Sequence, residues 1–305
     1  MSISITSRRS FLPAFTPGMR AMAIGAFWFG VMGLLVKLAG RGVPSHQIVL
    51  VRALFTLVLS WWGVRAAGVR PLWGHQRPLL LIRGLFGAIG INCFYYSLVH
   101  LPLGEATLIQ YMNPVFATLL AAWWVGERIR GGEVVCLVAS LVGVVLNTRP
   151  GFLFGASGGT IDPLHAGVAL LGAVCSGAAY ATVRKLGPRE HPSVVVFYLP
   201  LVTLPLAVPF SLVAWTPPSG GEWLLLIGVA VTTQMAQVYM TRGLQAETAA
   251  RATTTGYLQI VFAGAWGALL LGERPSAWTL AGAAVIVGST LLLAVGKSRG
   301  ALGDE

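Results

Sequence analysis

Ten runs of roughly 20 mostly apolar residues follow one another along this 305-residue chain, most of them parted by only a few polar positions. A run of that length, coiled as a helix, crosses the hydrocarbon core of a bilayer. Composition agrees: 55% of the residues are hydrophobic, 10% are charged, and the mean hydropathy is +0.75. That is more apolar surface than one soluble core can hide. The runs predict helices over about 21–39, 45–66, 78–99, 103–124, 132–148, 164–185, 193–214, 222–242, 248–271 and 277–296. The expected class is an all-α integral membrane protein.

The chain is also duplicated. Leu98 to Arg128 returns as Leu244 to Arg274. Without a gap the pairs Leu98/Leu244, Ala106/Ala252, Thr107/Thr253, Tyr111/Tyr257, Val115/Val261, Phe116/Phe262, Ala117/Ala263, Ala122/Ala268, Gly126/Gly272, Glu127/Glu273 and Arg128/Arg274 agree. Lys37 returns as Lys185, and Pro44-Ser45 as Pro192-Ser193. Two tandem units of five helices follow, over 21–148 and 164–296. A Gly-, Pro- and Ser-rich linker at 149–163 joins them, with tails at 1–20 and 297–305. Five is odd, so the second unit enters the membrane from the opposite face, and the ten helices form two inverted five-helix repeats. Such repeats point to alternating access about a site near the midplane.

The 21 Lys and Arg exceed the 10 Asp and Glu, but they are scattered between apolar runs and read as topology signals, with no nucleic-acid partner. With a cytoplasmic N-terminus, Lys37, Arg41, Arg149 and Arg274 lie on the far side, Arg52 and Arg83 lie within helices, and the remaining basic residues face the cytoplasm. Both termini are therefore expected in the cytoplasm, and the protein in the inner or plasma membrane with lipid around it. Arg8-Arg9 matches the core of a twin-arginine export signal, but no cleavable apolar region follows, and the pair is expected to anchor the first helix. Cys93, Cys136 and Cys175 lack metal-ligand spacing, and the five His are spread singly near segment ends, where a solvated role is expected. No phosphate loop, HExxH or GxSxG is present, so neither an ATP-driven pump nor a known hydrolase is indicated. No cofactor, metal site or catalytic residue is expected.

Polar residues at mid-helix carry the functional expectation, because each needs a partner inside the bilayer. The fourth run supplies Thr107, Gln110, Tyr111 and Asn113, with a kink expected at Pro114. The ninth supplies Thr253, Thr254, Thr255, Tyr257 and Gln259, the eighth Gln234 and Gln237, and the third Asn92, Tyr95 and Tyr96. Trp28 and Trp266 are candidate aromatic walls. Arg52, two turns inside the second run, either snorkels outward or holds a substrate carboxylate. Arg83, six residues after Arg77, is expected to snorkel. Glu105 and Arg251 occupy equivalent repeat positions as candidate gate or rim charges, although Glu247 and Arg251 also read as a local ion pair. The substrate-binding set is Trp28, Arg52, Asn92, Tyr96, Gln110, Tyr111, Asn113, Gln234, Gln237, Thr254, Tyr257 and Gln259. Amides, phenols and hydroxyls suit an organic solute and not a hard metal ion.

Two tandem units that each close a helix with Gly-Glu-Arg after an aromatic and small-residue run, with Arg52 followed by Ala53-Leu54-Phe55, resemble the drug/metabolite transporter superfamily, EamA type, over residues 20–296. The resemblance implies ten helices in inverted halves, a central cavity, and export or exchange of small organic solutes. It matches Arg52 to the family's helix 2 arginine, and Glu127 and Glu273 to the acidic residues closing helices 4 and 9. Pro200 stands where the repeat would place a second such arginine. The expected function is export of an amphiphilic or carboxylate-bearing metabolite, an amino acid or a derivative. The alternatives are an uptake permease for a vitamin or nucleoside-like compound, and a non-transporting membrane enzyme or scaffold subunit. Coupling to a proton or an exchanged solute, and a monomeric or homodimeric state, stay open.

Overall fold

The computed structural model describes residues 15–155, 162–212 and 215–300. The Arg8-Arg9 pair and residues 156–161 of the linker lie outside the described residues.

Local signals in the sequence start and stop the helices. Helix α1 (Pro17–Ala39) begins where the Thr16 hydroxyl accepts the Met19 amide at 3.2 Å, with proline in the first turn. Helices α2 (Ser45–Ala66) and α3 (Arg77–His100) follow. The fourth crossing is two pieces, α4 (Leu103–Gln110) and α5 (Asn113–Val125), and α6 (Gly131–Thr148) completes the first half. A single turn, α7 (Gly151–Phe154), opens the linker. The second half runs through α8 (Pro163–Leu186), α9 (Pro192–Leu212) and α10 (Gly220–Ala246), the last started by a Ser219/Glu222 capping box. It continues through α11 (Ala249–Gly256) and α12 (Leu258–Leu271), again one crossing in two pieces, to α13 (Ala277–Gly300). Among the described residues nine spans are long and apolar enough to cross a membrane, and Pro192–Val208 is a tenth, shorter apolar helix. Side chains such as Trp123 and Leu269 stand 83% and 74% exposed, as lipid-facing positions do.

The repeated Gly-Glu-Arg has a backbone reason. Gly126 and Gly272 adopt φ of 76° and 67° and end α5 and α12 in left-handed caps, a conformation that only glycine takes at little cost.

Packing between the halves follows a two-fold pattern. α1 packs on α10 and its repeat mate α8 packs on α3, α1 meets α12 as α8 meets α5, and α2–α9 and α6–α13 pair like with like. The detail extends to single residues. A Cβ on Gly30 would lie 2.7 Å from the Phe262 Cβ, and one on Gly177 would lie 2.7 Å from the Phe116 Cβ. Phe116 and Phe262 are repeat mates, so the same close approach is built twice, once at each crossing of the halves.

Candidate functional site

The face that carries residue 15 is termed the near face, and the opposite one the far face. A cavity of about 760 Å³ is lined by α2, α3, α8 and α9, among them Ser45, His46, Asn92, Tyr96, His100 and Leu206. Because α2 and α8 begin at the far face and α3 ends there, the cavity lies on the far side of the bundle. Its mouth carries an aromatic cluster: Tyr96 stacks on His100 at 4.0 Å between centroids, and His165 lies 4.8 Å from His100. His100 Nδ1 faces the Tyr96 carbonyl at 2.9 Å. These histidines are thus gathered, not spread singly as expected, because α3 and α8 pack side by side although 65 residues separate the rings.

The near face is tied shut. Arg184 at the end of α8 pairs with Glu127 at the end of α5 and donates from Nη1 to the Gln245 carbonyl at 3.0 Å, and the other Glu127 oxygen accepts the Ala249 amide at 3.0 Å. Gln245 reaches back to the Gly187 and Glu190 carbonyls at 2.8 Å each. Thr16 donates to Glu247, and Arg251 lies 3.4 Å from the other Glu247 oxygen. Glu273, the repeat mate of Glu127, is on the far face, where it pairs with Lys37. The near pair is 24% and 11% exposed, the far pair 57% and 49%.

Between the two faces lies a polar layer with two voids of about 20 Å³, each the size of a water molecule. One is lined by Arg52, Thr56, Thr203, Thr233, Gln234 and Gln237. Ser60 donates to Gln234 at 2.9 Å, and Arg83 donates from Nη2 to Gln237 at 3.2 Å. Pro200 beside this void gives no N–H to the Val196 carbonyl, so the α9 backbone adds acceptor capacity there. The other void is lined by Tyr111, Asn113, Tyr180, Thr253, Tyr257 and Gln259, among others. Here both broken crossings meet. α4 ends at Tyr111, one turn earlier than a kink centred on Pro114, and that proline opens α5 instead. α11 ends at the mate, Tyr257, with no proline to break it. The amides of Val115 and Phe116 both bond to Met112, and the Tyr111 carbonyl accepts the Tyr257 hydroxyl at 2.8 Å. Each break is thereby stitched to the other half.

The twelve candidate ligands divide by place. Arg52, Gln234 and Gln237 share one void, Tyr111, Asn113, Tyr257 and Gln259 the other, and Asn92 and Tyr96 the large cavity. Gln110 accepts no bond at its buried Oε1 and donates to Ser176 at 3.2 Å, and Thr254 is buried with its hydroxyl unpartnered. Trp28 lines none of the three cavities and sets its ring edge-on to Phe27. Glu105 is 2% exposed and accepts the Gly151 amide at 2.8 Å, and Arg251 is 5% exposed and donates to the Leu293 carbonyl at 2.9 Å. Both charges are anchored in the packed ends of the bundle, Arg251 among the contacts that close the near face. The snorkelling expected of Arg83 is overturned: it is 1% exposed and turned inward. Ser60 and Tyr180 join the layer without having been singled out in the sequence.

No carboxylate lines any of the three cavities. The arrangement suits an acceptor-rich, anionic or amphiphilic solute. Two inverted halves around a polar layer, open on one side and closed on the other, define a membrane transporter of small metabolites. The chain belongs to the EamA-like transporter family, whose pattern matches residues 16–149 and again 165–295, one match per half. The pseudopaline exporter of Pseudomonas aeruginosa is 33% identical over 280 residues, covering 90% of this chain and 95% of the exporter. The riboflavin transporter of Vibrio cholerae is 26% identical, covering 86% and 90%. A crystal structure with 20% identity superposes with a TM-score of 0.78 over 94% of this chain and 99% of its own, a likeness of fold.

Proposed function

We propose that the protein exports a small carboxylate-bearing metabolite, an amino acid or a derivative of one, by rocking of its two halves about the polar layer. The observation that carries this reading is a donor-rich layer without a carboxylate, placed beneath a cavity on the far side of a bundle whose near face is closed. The near face holds most of the Lys and Arg, which makes it cytoplasmic by the positive-inside rule and the far face external. In this reading the state described releases substrate outward, and Arg52 holds the carboxylate. Similarity to an exporter of pseudopaline supports the outward direction. Uptake is the second reading, favoured by similarity to an S-adenosylmethionine uptake transporter, since inverted symmetry is silent about net direction.

A thermal-shift screen of the purified protein against a metabolite panel tests the assignment. A ligand at 100 times its Kd adds about 2.7 kcal/mol to the state that binds it. Charge-assisted hydrogen bonds contribute about 1.5–3 kcal/mol, so Arg52→Ala is expected to raise the half-saturating concentration of a carboxylate ligand about tenfold or more while leaving the unliganded midpoint in place. A ligand whose effect survives Arg52→Ala would remove Arg52 from the site, and stabilisation by none of a broad panel would count against the transport reading.

A further inference from the structure

The charge that the transport mechanism above leaves unused is Arg83. Its guanidinium is 1% exposed, six residues inside α3 from the near face. Nη2 donates to the neutral Gln237 at 3.2 Å, and Nε is buried with no acceptor at all. Among the described residues no Asp or Glu forms an ion pair with it, nor with Arg52. A buried charge without a counter-charge is costly, and a membrane protein retains one when the partner arrives from outside. The position is also built for it: a Cβ on Gly87, one turn along α3, would lie 2.6 Å from Nη1, so the glycine leaves the space that the guanidinium occupies.

Gln237 links this group to the substrate layer. It accepts from Arg83 and, with Gln234 and Arg52, lines the void between α2, α9 and α10. Two guanidinium groups thus flank one pair of amides, one bordering the void and one parked behind it. We infer that Arg83 is a second anion receptor, so that the substrate carries at least two acidic groups and is held between Arg52 and Arg83. In the state described Arg83 rests on Gln237. When the near face opens, its end of α3 is the side exposed to the cytoplasm, and the guanidinium exchanges the amide for a substrate carboxylate, a stronger and geometrically matched acceptor. The inference rests on the transport reading and adds the charge of the substrate to it.

The test uses the full chain in detergent with glutamate, citrate and N-carboxymethylglutamate as probes, each beside the amide that replaces one carboxylate. At least one diacid or triacid is expected to raise the unfolding midpoint with a half-saturating concentration at least tenfold below that of its amide. Arg83→Gln is expected to erase that ratio by weakening the acid to the level of the amide, and Arg83→Lys to keep part of it. Gln237→Glu guards against a misfolded arginine variant: it supplies the missing carboxylate internally, raises the unliganded midpoint and competes the acid away. Equal effects of acid and amide, a ratio unchanged in Arg83→Gln, a Gln237→Glu protein no more stable and still binding the acid, or no response to any acid would each overturn the assignment. Saturable flux of a neutral solute with no response to the acids would sink this inference alone, whereas absence of flux for every solute would sink the transport reading beneath it.

Discussion

Glu127→Gln will destabilise the purified protein by about 3 kcal/mol, the scale for removing one partner of a largely buried ion pair, while Glu273→Gln will cost less than about 1 kcal/mol, as for exposed pairs. The two residues are repeat mates with the same neighbours in sequence. Their surroundings differ because the protein is caught with one face closed. Glu127 holds Arg184 and the Ala249 amide between the halves, and its loss leaves the Arg184 guanidinium partly buried without compensation. Glu273 meets Lys37 in the open, where solvent screens both charges. Thermal unfolding of the two variants in the same detergent checks the contrast. Equal losses would mean that the difference in exposure does not reflect a closed and an open side. The closed state should also lose population in Glu127→Gln, so that a cysteine placed at Gln245 reacts faster with a water-soluble maleimide than in the parent, a change that Glu273→Gln should not produce.

A larger loss is expected where the halves touch. Gly177→Val should prevent accumulation of folded protein or cost more than about 3 kcal/mol, the upper end of overpacking effects. A Cβ there meets the Phe116 Cβ at 2.7 Å, the Ala117 nitrogen at 2.8 Å and the Asn113 carbonyl at 2.9 Å. Two of these three are backbone atoms of α5, which cannot rotate away, so α8 and α5 must separate. Alanine in place of glycine gains up to about 1 kcal/mol of helix propensity, which is too little to offset the clash. Gly132→Ala is the matched control, since a Cβ at Gly132 meets no neighbour within 4 Å. Expression level and midpoint of the three proteins decide it. A Gly177→Val protein as stable as the control would contradict the packing of α5 on α8.

The ten crossings and their duplication were legible in the sequence because both depend on local signals: apolar length, and residues repeated at a nearly constant offset. Gly126 and Gly272 were visible as a motif, though not as the left-handed caps that explain it. The two helix breaks were half legible. Pro114 marked the first, but the second falls at Tyr257 without any proline, and only the meeting of the Tyr257 hydroxyl with the Tyr111 carbonyl shows that the breaks belong together. Side-chain direction was the main thing missing. Counted from its helix end, Arg83 looks free to reach water, yet it is buried where α9 packs on α3, and Gln237 of α10 accepts from it on the inner side. The Tyr96, His100 and His165 cluster depends on α3 lying against α8, and Glu105 and Arg251 are anchored by the Gly151 amide and the Leu293 carbonyl, partners that spacing does not disclose.

The most direct test of the account is uptake of radiolabelled carboxylate metabolites into liposomes that carry the purified protein, with the same solute trapped inside to drive exchange. Saturable counterflow of at least one such solute is expected, reduced at least tenfold by Arg52→Ala in protein that still folds. Liposomes holding folded protein that exchange no solute faster than empty ones would contradict it.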